Sequence, residues 1–548
     1  LAFAQGERKR TKILHAAVAV AVAMAFAPAA NAAAAKINEQ MCTMCHANIG
    51  QFHKSGAHKG VSCTSCHSNL DKHLANQKQN RPVTSFDPKT CGACHPDQMK
   101  SAFKVNEERT PRFSKKNSAS VAPSPFFDRA MGMHGFTKEH NLPRSHTFMA
   151  LDQYLCDRAF GGRFEPKDGW MYLAMGDGIG PVAVWDLIKD QEPSTNTHKP
   201  RRPGTAAAAN SVCWTCKSTD LILDWAYLGD KVEGAKFSRQ SPVVDVVRNV
   251  NHGLNCNFCH DPHSAKARVS RDGLIDALTR TDFPTLYSQD PKKTKIEVVN
   301  LGVRGFQRKI AMLEKYDTKL QCGQCHVEYN CNPGVNPKTG EKIGMDNRLT
   351  NLFPFVDVTK IDEFYAHVGF KDFKHPVTGA LLTKMQHPDV ETYWNSKHDK
   401  AGVDCKDCHM PKVKNAQGKV ITNHWATSPR AYLKETCQKC HADKTEAQLN
   451  RVMDGMAAYY SGKLREAESR MNDMFDAFDD AKDHGVSEDV LKQAREQHSI
   501  AHTNWEWWTA VNGAAFHNPD QAALSLAKSA AAAQKATKIL RDAIAAKK

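Results

Sequence analysis

Beyond its first thirty residues the chain has no apolar run long enough to span a bilayer, which excludes a helical membrane domain from the rest of it. Apolar material is modest for the length: hydrophobic residues make up 41% of 548 and aromatic residues 8%. Side chains alone would give so long a polypeptide a thin core, so something else must fill part of the interior. Regular periodicity is scarce too. Much of the chain is rich in Gly, Pro, Asn and Lys, which argues for loops rather than for layers of helix or sheet. Cysteine is the exception. Of 18 cysteines, all but Cys156 and Cys331 fall into repeated copies of one spacing.

Seven copies read C-x-x-C-H: Cys42, Cys45 and His46; Cys63, Cys66 and His67; Cys91, Cys94 and His95; Cys256, Cys259 and His260; Cys322, Cys325 and His326; Cys405, Cys408 and His409; Cys437, Cys440 and His441. Two thiols so spaced form thioethers with the two vinyl groups of a haem, and the adjacent histidine lies under the iron as its proximal ligand. A single copy could equally be half a zinc site or a redox pair. Seven with one histidine offset identify a multihaem cytochrome of the c type. The eighth copy is CWTCK, with Lys217 after Cys213 and Cys216. A haem with histidine on both faces has no vacant position and only passes electrons. An amine is normally protonated at neutral pH, but a ferric ion can hold it deprotonated as a ligand. Lys217 therefore marks the haem expected to be catalytic; the competing reading is a structural haem with its upper face filled.

Eight haems supply the missing apolar bulk. The expected fold is mainly α, with extensive irregular loops packed around covalently bound haems. Lysine and arginine exceed aspartate and glutamate by 15, which ordinarily suggests nucleic acid or anionic lipid. The haem propionates nearly cancel that excess, so no nucleic-acid partner is expected. A basic stretch at residues 7–12, an apolar run at 13–30 broken by Pro28, and small residues near 31–33 read as a signal peptide over 1–34. Export to the periplasm follows. Three motifs crowd into an N-terminal module, residues 35–130, and five lie in a larger catalytic part, 131–445. Residues 446–548 carry helical spacing, with a stop at His484-Gly485, a second start at Ser487 and a cap at Asn518-Pro519 that opens a third helix.

Seven haems with histidine on both faces need seven distal histidines. Nineteen remain after the motifs, with His53, His58, His73, His134, His140, His146, His252, His398, His424 and His517 as candidates.

The run CWTCK, CGQCHVEYNC (322–331), KMQHPDVETYW (384–394) and CKDCHMPKV (405–413) resembles the pentahaem cytochrome c nitrite reductases that form ammonia. The extra N-terminal haems and the pair Tyr329/Cys331 make it more similar to their octahaem relatives. The resemblance implies catalytic roles for Lys217, Tyr329 and His387, and for an arginine that falls on Arg158, with Arg163 as a competitor. It implies His146, His398 and His424 as distal ligands, and a thioether between Tyr329 and Cys331. A Cys156–Cys331 disulfide is the alternative in an oxidising compartment. It further implies a calcium ion held by Glu328 and Gln386 with the carbonyls of Tyr329 and Lys384, all hard oxygen ligands. Read without the resemblance, Glu328 and Gln386 are simply polar residues. Implied partners are nitrite and other small nitrogen or sulfur oxyanions, a periplasmic or membrane-bound electron donor, and further copies of the chain in a homo-oligomer, trimer or hexamer. The competing functions are an octahaem sulfur-oxyanion reductase acting on tetrathionate or sulfite, a hydroxylamine-oxidising enzyme, which CWTCK disfavours, and a non-catalytic electron conduit.

Overall fold

The computed structural model describes residues 37–104 except 86, 126–131, 145–149, 211–242, 245–246, 252–301, and 307–547 except 514. Two compact units divide at Gly50 and Gln51. In the first, helix α1 (Gln40–Cys45) carries Cys42 and Cys45, and the His46 amide donates to Cys42 O at 2.9 Å. The same bond closes the motifs of His95, His260, His326 and His441 in the second unit, each at 2.9 Å. One helical turn thus sets two sulfurs and an imidazole on one side of the backbone, which is why the spacing repeats.

The rest is short elements joined by long connections, as the weak periodicity predicts. Helix α2 (Ser211–Trp214) leads into Lys217. A three-stranded antiparallel sheet, β1 (Arg268–Val269), β2 (Ile296–Asn300) and β3 (Lys309–Leu313), has β3 at its centre, with Arg268 opposite Met312 and Val298 opposite Ala311. Between β1 and β2 runs α3 (Asp272–Thr279), with Leu274, Ile275 and Leu278 turned into the core. Helices α4 (Thr318–Cys322), α5 (Ile361–Val368) and α6 (Asp389–Tyr393) follow.

Among the described residues, long helices appear only at the C-terminal end. Helix α7 (Glu446–Asp483) starts at Thr445, whose hydroxyl accepts from the Gln448 amide in a reciprocal capping box. It stops where Gly485 adopts φ 62, a left-handed conformation that other residues resist. Helix α8 (Glu488–Ala510) and α9 (Pro519–Ala545) complete the group; the Asn518 side chain accepts from the Gln521 amide at 3.3 Å, and Pro519 opens α9. Met471, Phe475 and Phe478 of α7 form a fully buried stripe that meets Trp505, Trp507 and Trp508 of α8 and Phe364, Tyr365 and Met385 of the preceding segment. Truncating one such aromatic, as in Phe478→Ala, costs about 3–5 kcal/mol. Among the described residues no helix is long and apolar enough to cross a membrane.

Candidate active site

The histidines show whether the chain fits the haems its motifs imply. Five motif histidines face a second imidazole across a nearly constant gap: ring centroids are 6.2 Å apart in His58–His95, 6.3 Å in His67–His263, 6.1 Å in His146–His326, 6.5 Å in His398–His441 and 6.2 Å in His409–His517. A metal ion bound to two facing imidazoles at about 2.0 Å from each nitrogen sets the ring centres about 6 Å apart. The rings are also oriented for it. Nδ1 of His58 donates to Pro262 O at 2.7 Å and that of His409 to Thr427 O at 2.9 Å, while Nδ1 of His67 meets Thr84 Oγ1 at 3.0 Å and that of His263 meets Asp261 Oδ1 at 3.2 Å. A proton fixed on Nδ1 leaves the lone pair on Nε2, where iron takes it. The residues fit the group.

His146 and His398 thus stand opposite motif histidines. His424 donates from Nδ1 to Thr422 O at 2.9 Å and stands close enough to His260 to lower its pKa, after burial as the main cause. His252 holds Nδ1 3.1 Å from Asp220 Oδ1, as His263 does with Asp261, which leaves its Nε2 to a metal, whereas His53 turns Nε2 to Val61 O at 2.8 Å. His263 is a partner that spacing did not single out; its only signal is its place three residues after His260, in HDPH. Arg158, Arg163, Cys156, His134 and His140 lie outside the described residues.

The lysine motif is the most deeply buried of the eight. Cys213, Cys216 and Lys217 are all buried, and the Lys217 amide donates to Trp214 O at 2.9 Å. This motif interlocks with the one more than a hundred residues on: Cys216 Sγ lies 3.7 Å from Gln324 O and Cys325 Sγ lies 3.8 Å from Cys216 O. Two residues beyond His326 the chain enters the site, with Glu328, Tyr329 and Cys331 buried. The Tyr329 ring packs on Phe353 at 5.6 Å and lies 6.5 Å from the ring of His387. Burial, and then the charge of Lys217, push the His387 pKa down to about 3, so its imidazole is neutral at physiological pH. Burial likewise raises the Tyr329 phenol well above its ordinary range, with Cys331 adding to the effect. Lys217, Tyr329 and His387 therefore share one dry site. Cys331 Sγ is 3.3 Å from Gln386 Nε2 and 3.9 Å from Cys213 Sγ.

Glu328, Gln386, Tyr329 and Lys384 come together beside it. The Glu328 carboxylate, fully buried, accepts from the Gln386 amide at 2.6 Å and the Tyr365 hydroxyl at 2.9 Å, while the Glu328 amide donates to Glu391 Oε1 at 2.9 Å. Glu391 Oε2 is buried without a hydrogen bond. Burial raises both carboxylates well above their usual range, although the charge of Lys384 offsets part of this at Glu328, the sign of two acids held away from water. A hard divalent cation suits such oxygens. Among the described residues no three His, Cys, Asp or Glu side chains are grouped to hold a metal, so an ion here would depend on amide and carbonyl oxygens as well.

Asp389 ties these parts together. Its carboxylate lies 3.4 Å from His326 Nδ1 and 3.6 Å from His517 Nδ1, and accepts from Asn512 N at 2.8 Å and Asn512 Nδ2 at 2.6 Å. Burial alone would raise its pKa; the two imidazoles overcome that and hold it far below the carboxylate range. Trp507 Nε1 of α8 donates to Thr392 Oγ1 at 3.0 Å. The C-terminal helices thus grip the segment that carries His387.

A cytochrome c nitrite reductase subunit, NrfA, of Nitratidesulfovibrio vulgaris is 29% identical to this chain over 348 residues, 61% of this chain and 60% of that one. A cytochrome c-552 of Haemophilus influenzae is 25% identical over 400 residues, 71% of this chain and 62% of its own. The match thus spans about three fifths of the length of these relatives. Among solved structures, a cytochrome c nitrite reductase of Desulfovibrio desulfuricans, described with two calcium sites in its catalytic subunit, superposes with a TM-score of 0.55 at 22% identity, over 84% of this chain and 86% of that one, a likeness of fold. The family model described as cytochrome c552 matches residues 184–548, about two thirds of the chain, with Lys217, Glu328, Tyr329, His387 and Asp389 inside it. With the facing histidine pairs and the lysine motif, that match makes this chain a member of the cytochrome c552 family.

Proposed function

We propose that this chain is a periplasmic reductase that converts nitrite to ammonium, with eight covalently bound haems c and a calcium ion beside the reacting haem. One observation carries the reading: Lys217, Tyr329 and His387 converge in a single buried site, while five motif histidines face a second histidine. Bound at Cys213 and Cys216, the haem supplies an iron with one position left for substrate and an outlet for electrons gathered by the others.

The side chains do the rest. Lys217 would hold the iron through its amine, in the place that histidine takes in the other motifs. Nitrite reduction to ammonium takes up six electrons and eight protons, so proton donors must surround the substrate. His387, neutral in its buried setting, offers a ring N–H as a hydrogen-bond donor and passes protons on one at a time rather than storing them. Tyr329 keeps its phenolic proton and positions or relays it. Arg158 binds the nitrite oxygens and offsets negative charge as N–O bonds break. Glu328 and Gln386, with the carbonyls of Tyr329 and Lys384, hold calcium and so fix both Tyr329 and His387. A Tyr329–Cys331 thioether stiffens the ring. Hydroxylamine and sulfite are expected as further substrates, a periplasmic or membrane-bound protein as electron donor, and a homo-oligomer as the working form.

The test is to supply the purified holoprotein with a reduced dye and nitrite and to follow ammonium. Dye oxidation matched by ammonium supports the reading. Turnover with tetrathionate or sulfite but not nitrite assigns the site to sulfur oxyanions. Absence of turnover, with every haem low-spin and six-coordinate, makes the chain an electron conduit.

A further inference from the structure

Arg271 is among the largest side chains that the fold hides completely, and nothing above explains it. It sits at the start of α3, and its backbone amide donates to Gln324 Oε1 at 3.2 Å, a residue inside the Cys322–Cys325 motif. One arm of its guanidinium, NH1, donates to Asp272 Oδ1 at 2.6 Å. The rest, Nε and NH2, is buried with no oxygen or nitrogen partner. Cys216 and Cys325 are both near enough to the guanidinium to act on its charge. The plane lies over the Phe353 ring, 5.1 Å from its centroid. Phe353 in turn supports Tyr329.

Leaving guanidinium donors buried without acceptors costs about 1–3 kcal/mol each or more. Asp272 does not need Arg271 for its own solvation, because Trp225 Nε1 at 2.7 Å, Asn351 Nδ2 at 3.0 Å and the Gly273 amide at 2.8 Å already donate to it. Asp272 therefore aims the guanidinium while three neutral donors share its negative charge. The open face of Arg271 remains positive, and it points at the junction where the Cys216 and Cys325 motifs interlock.

We infer that Arg271 is a positioning residue for the haem at Cys213 and Cys216: it presses a fixed positive charge and N–H donors against the thioether edge of that haem and favours its reduced form. Hydrogen bonding, burial and charge around a haem set its potential. Arg271 is assigned no contact with substrate.

This inference rests on the attachment of haem at Cys213 and Cys216 proposed above, and mass spectrometry of the peptide spanning residues 211–219 tests that reading separately. With attachment established, the midpoint of the lysine-ligated haem is measured in the full holoprotein by potentiometric titration of its high-spin signal. In Arg271→Gln, at the wild-type midpoint, the ratio of reduced to oxidised haem should fall about tenfold, equivalent to about 59 mV for one electron. The haem at Cys322 and Cys325 should shift the same way by less, and the other six should not move. Arg271→Lys keeps the charge and should stay within about threefold of wild type. An unmoved high-spin midpoint in Arg271→Gln, or an equal fall in Arg271→Lys, overturns the inference. Should Arg271→Gln lose haem during maturation, Asp272→Asn reads the same quantity with the opposite sign: removing the counter-charge should raise the midpoint, and no rise overturns the inference.

Discussion

His375 and His498 give the C-terminal region an acid weakness whose size follows from their surroundings. Both are fully buried, their rings 4.9 Å apart, and both lie against Phe475 of α7, at 4.8 and 5.3 Å. His375 Nε2 donates to Arg129 O at 2.8 Å and His498 Nδ1 meets Thr378 Oγ1 at 2.9 Å. Burial pushes His375 down to about 4 and His498 well below its ordinary value, with neighbouring histidines adding to the effect. His502, fully buried beside His498, joins them: burial and then the charge of Lys371 push it down to about 3, with Asp362 opposing. In the unfolded chain a histidine titrates near 6.5. Above that pH neither state binds the proton and stability is flat. Below it the unfolded chain takes up three protons that the folded one refuses, so stability falls by up to about 4 kcal/mol per pH unit, or about 6 kcal/mol by pH 5. Histidines held by iron stay out of this balance while haem is bound. The assay is thermal unfolding followed by far-ultraviolet circular dichroism from pH 8 to 5, in wild type and in His498→Gln, whose amide can still meet Thr378. The variant should lose about a third of the slope. A midpoint that does not move between pH 6.5 and 5, or a slope unchanged in the variant, refutes the reasoning.

Three further outcomes concern the site. Lys217→His should keep the full haem complement, which depends on Cys213 and Cys216, yet lose most nitrite turnover; haem staining and the dye assay check this, and undiminished turnover removes Lys217 from the mechanism. His387→Asn should lower kcat about 10²–10³-fold, the usual cost of one preorganised donor, while the wild-type kcat profile shows no inflection near 6.5, since His387 stays neutral down to about pH 3. Cys331→Ser tests the cross-link: the wild-type peptide carrying Tyr329 and Cys331 should be lighter than its sequence mass by the two hydrogens that thioether formation removes, and the serine peptide should show no deficit.

The parts legible in the sequence are those set by local chemistry. The C-x-x-C spacing is one turn of helix, and each motif that folds so does it with its own i to i+4 bond. Helices α7, α8 and α9 begin and end within a few residues of the Thr445, Gly485, Ser487 and Asn518-Pro519 signals, because caps and stops act across a few residues. Tyr329 and His387 were legible only through resemblance, since nothing local marks a tyrosine after Glu328 or a histidine before Pro388 as belonging to one pocket. His263, Arg271 and Asp389 were not legible at all. Their roles come from neighbours far along the chain: His67 for the first, Cys216 for the second, His326 and Asn512 for the third. Loops wrapped around a cofactor carry no periodic trace of what they will touch.

The interlocking of Cys216 with Gln324, and of Cys325 with the Cys216 carbonyl, bears on how such a protein is made. With Cys213 at 7% and Cys216 at 1% exposure, the finished fold presents neither thiol to a modifying enzyme. A ligase joining porphyrin to these sulfurs must therefore meet the polypeptide while it is still open. Tertiary closure between the lysine motif and the one that follows is then the step that ends access, and a delay before residues 322–325 fold against it would widen the time available for loading.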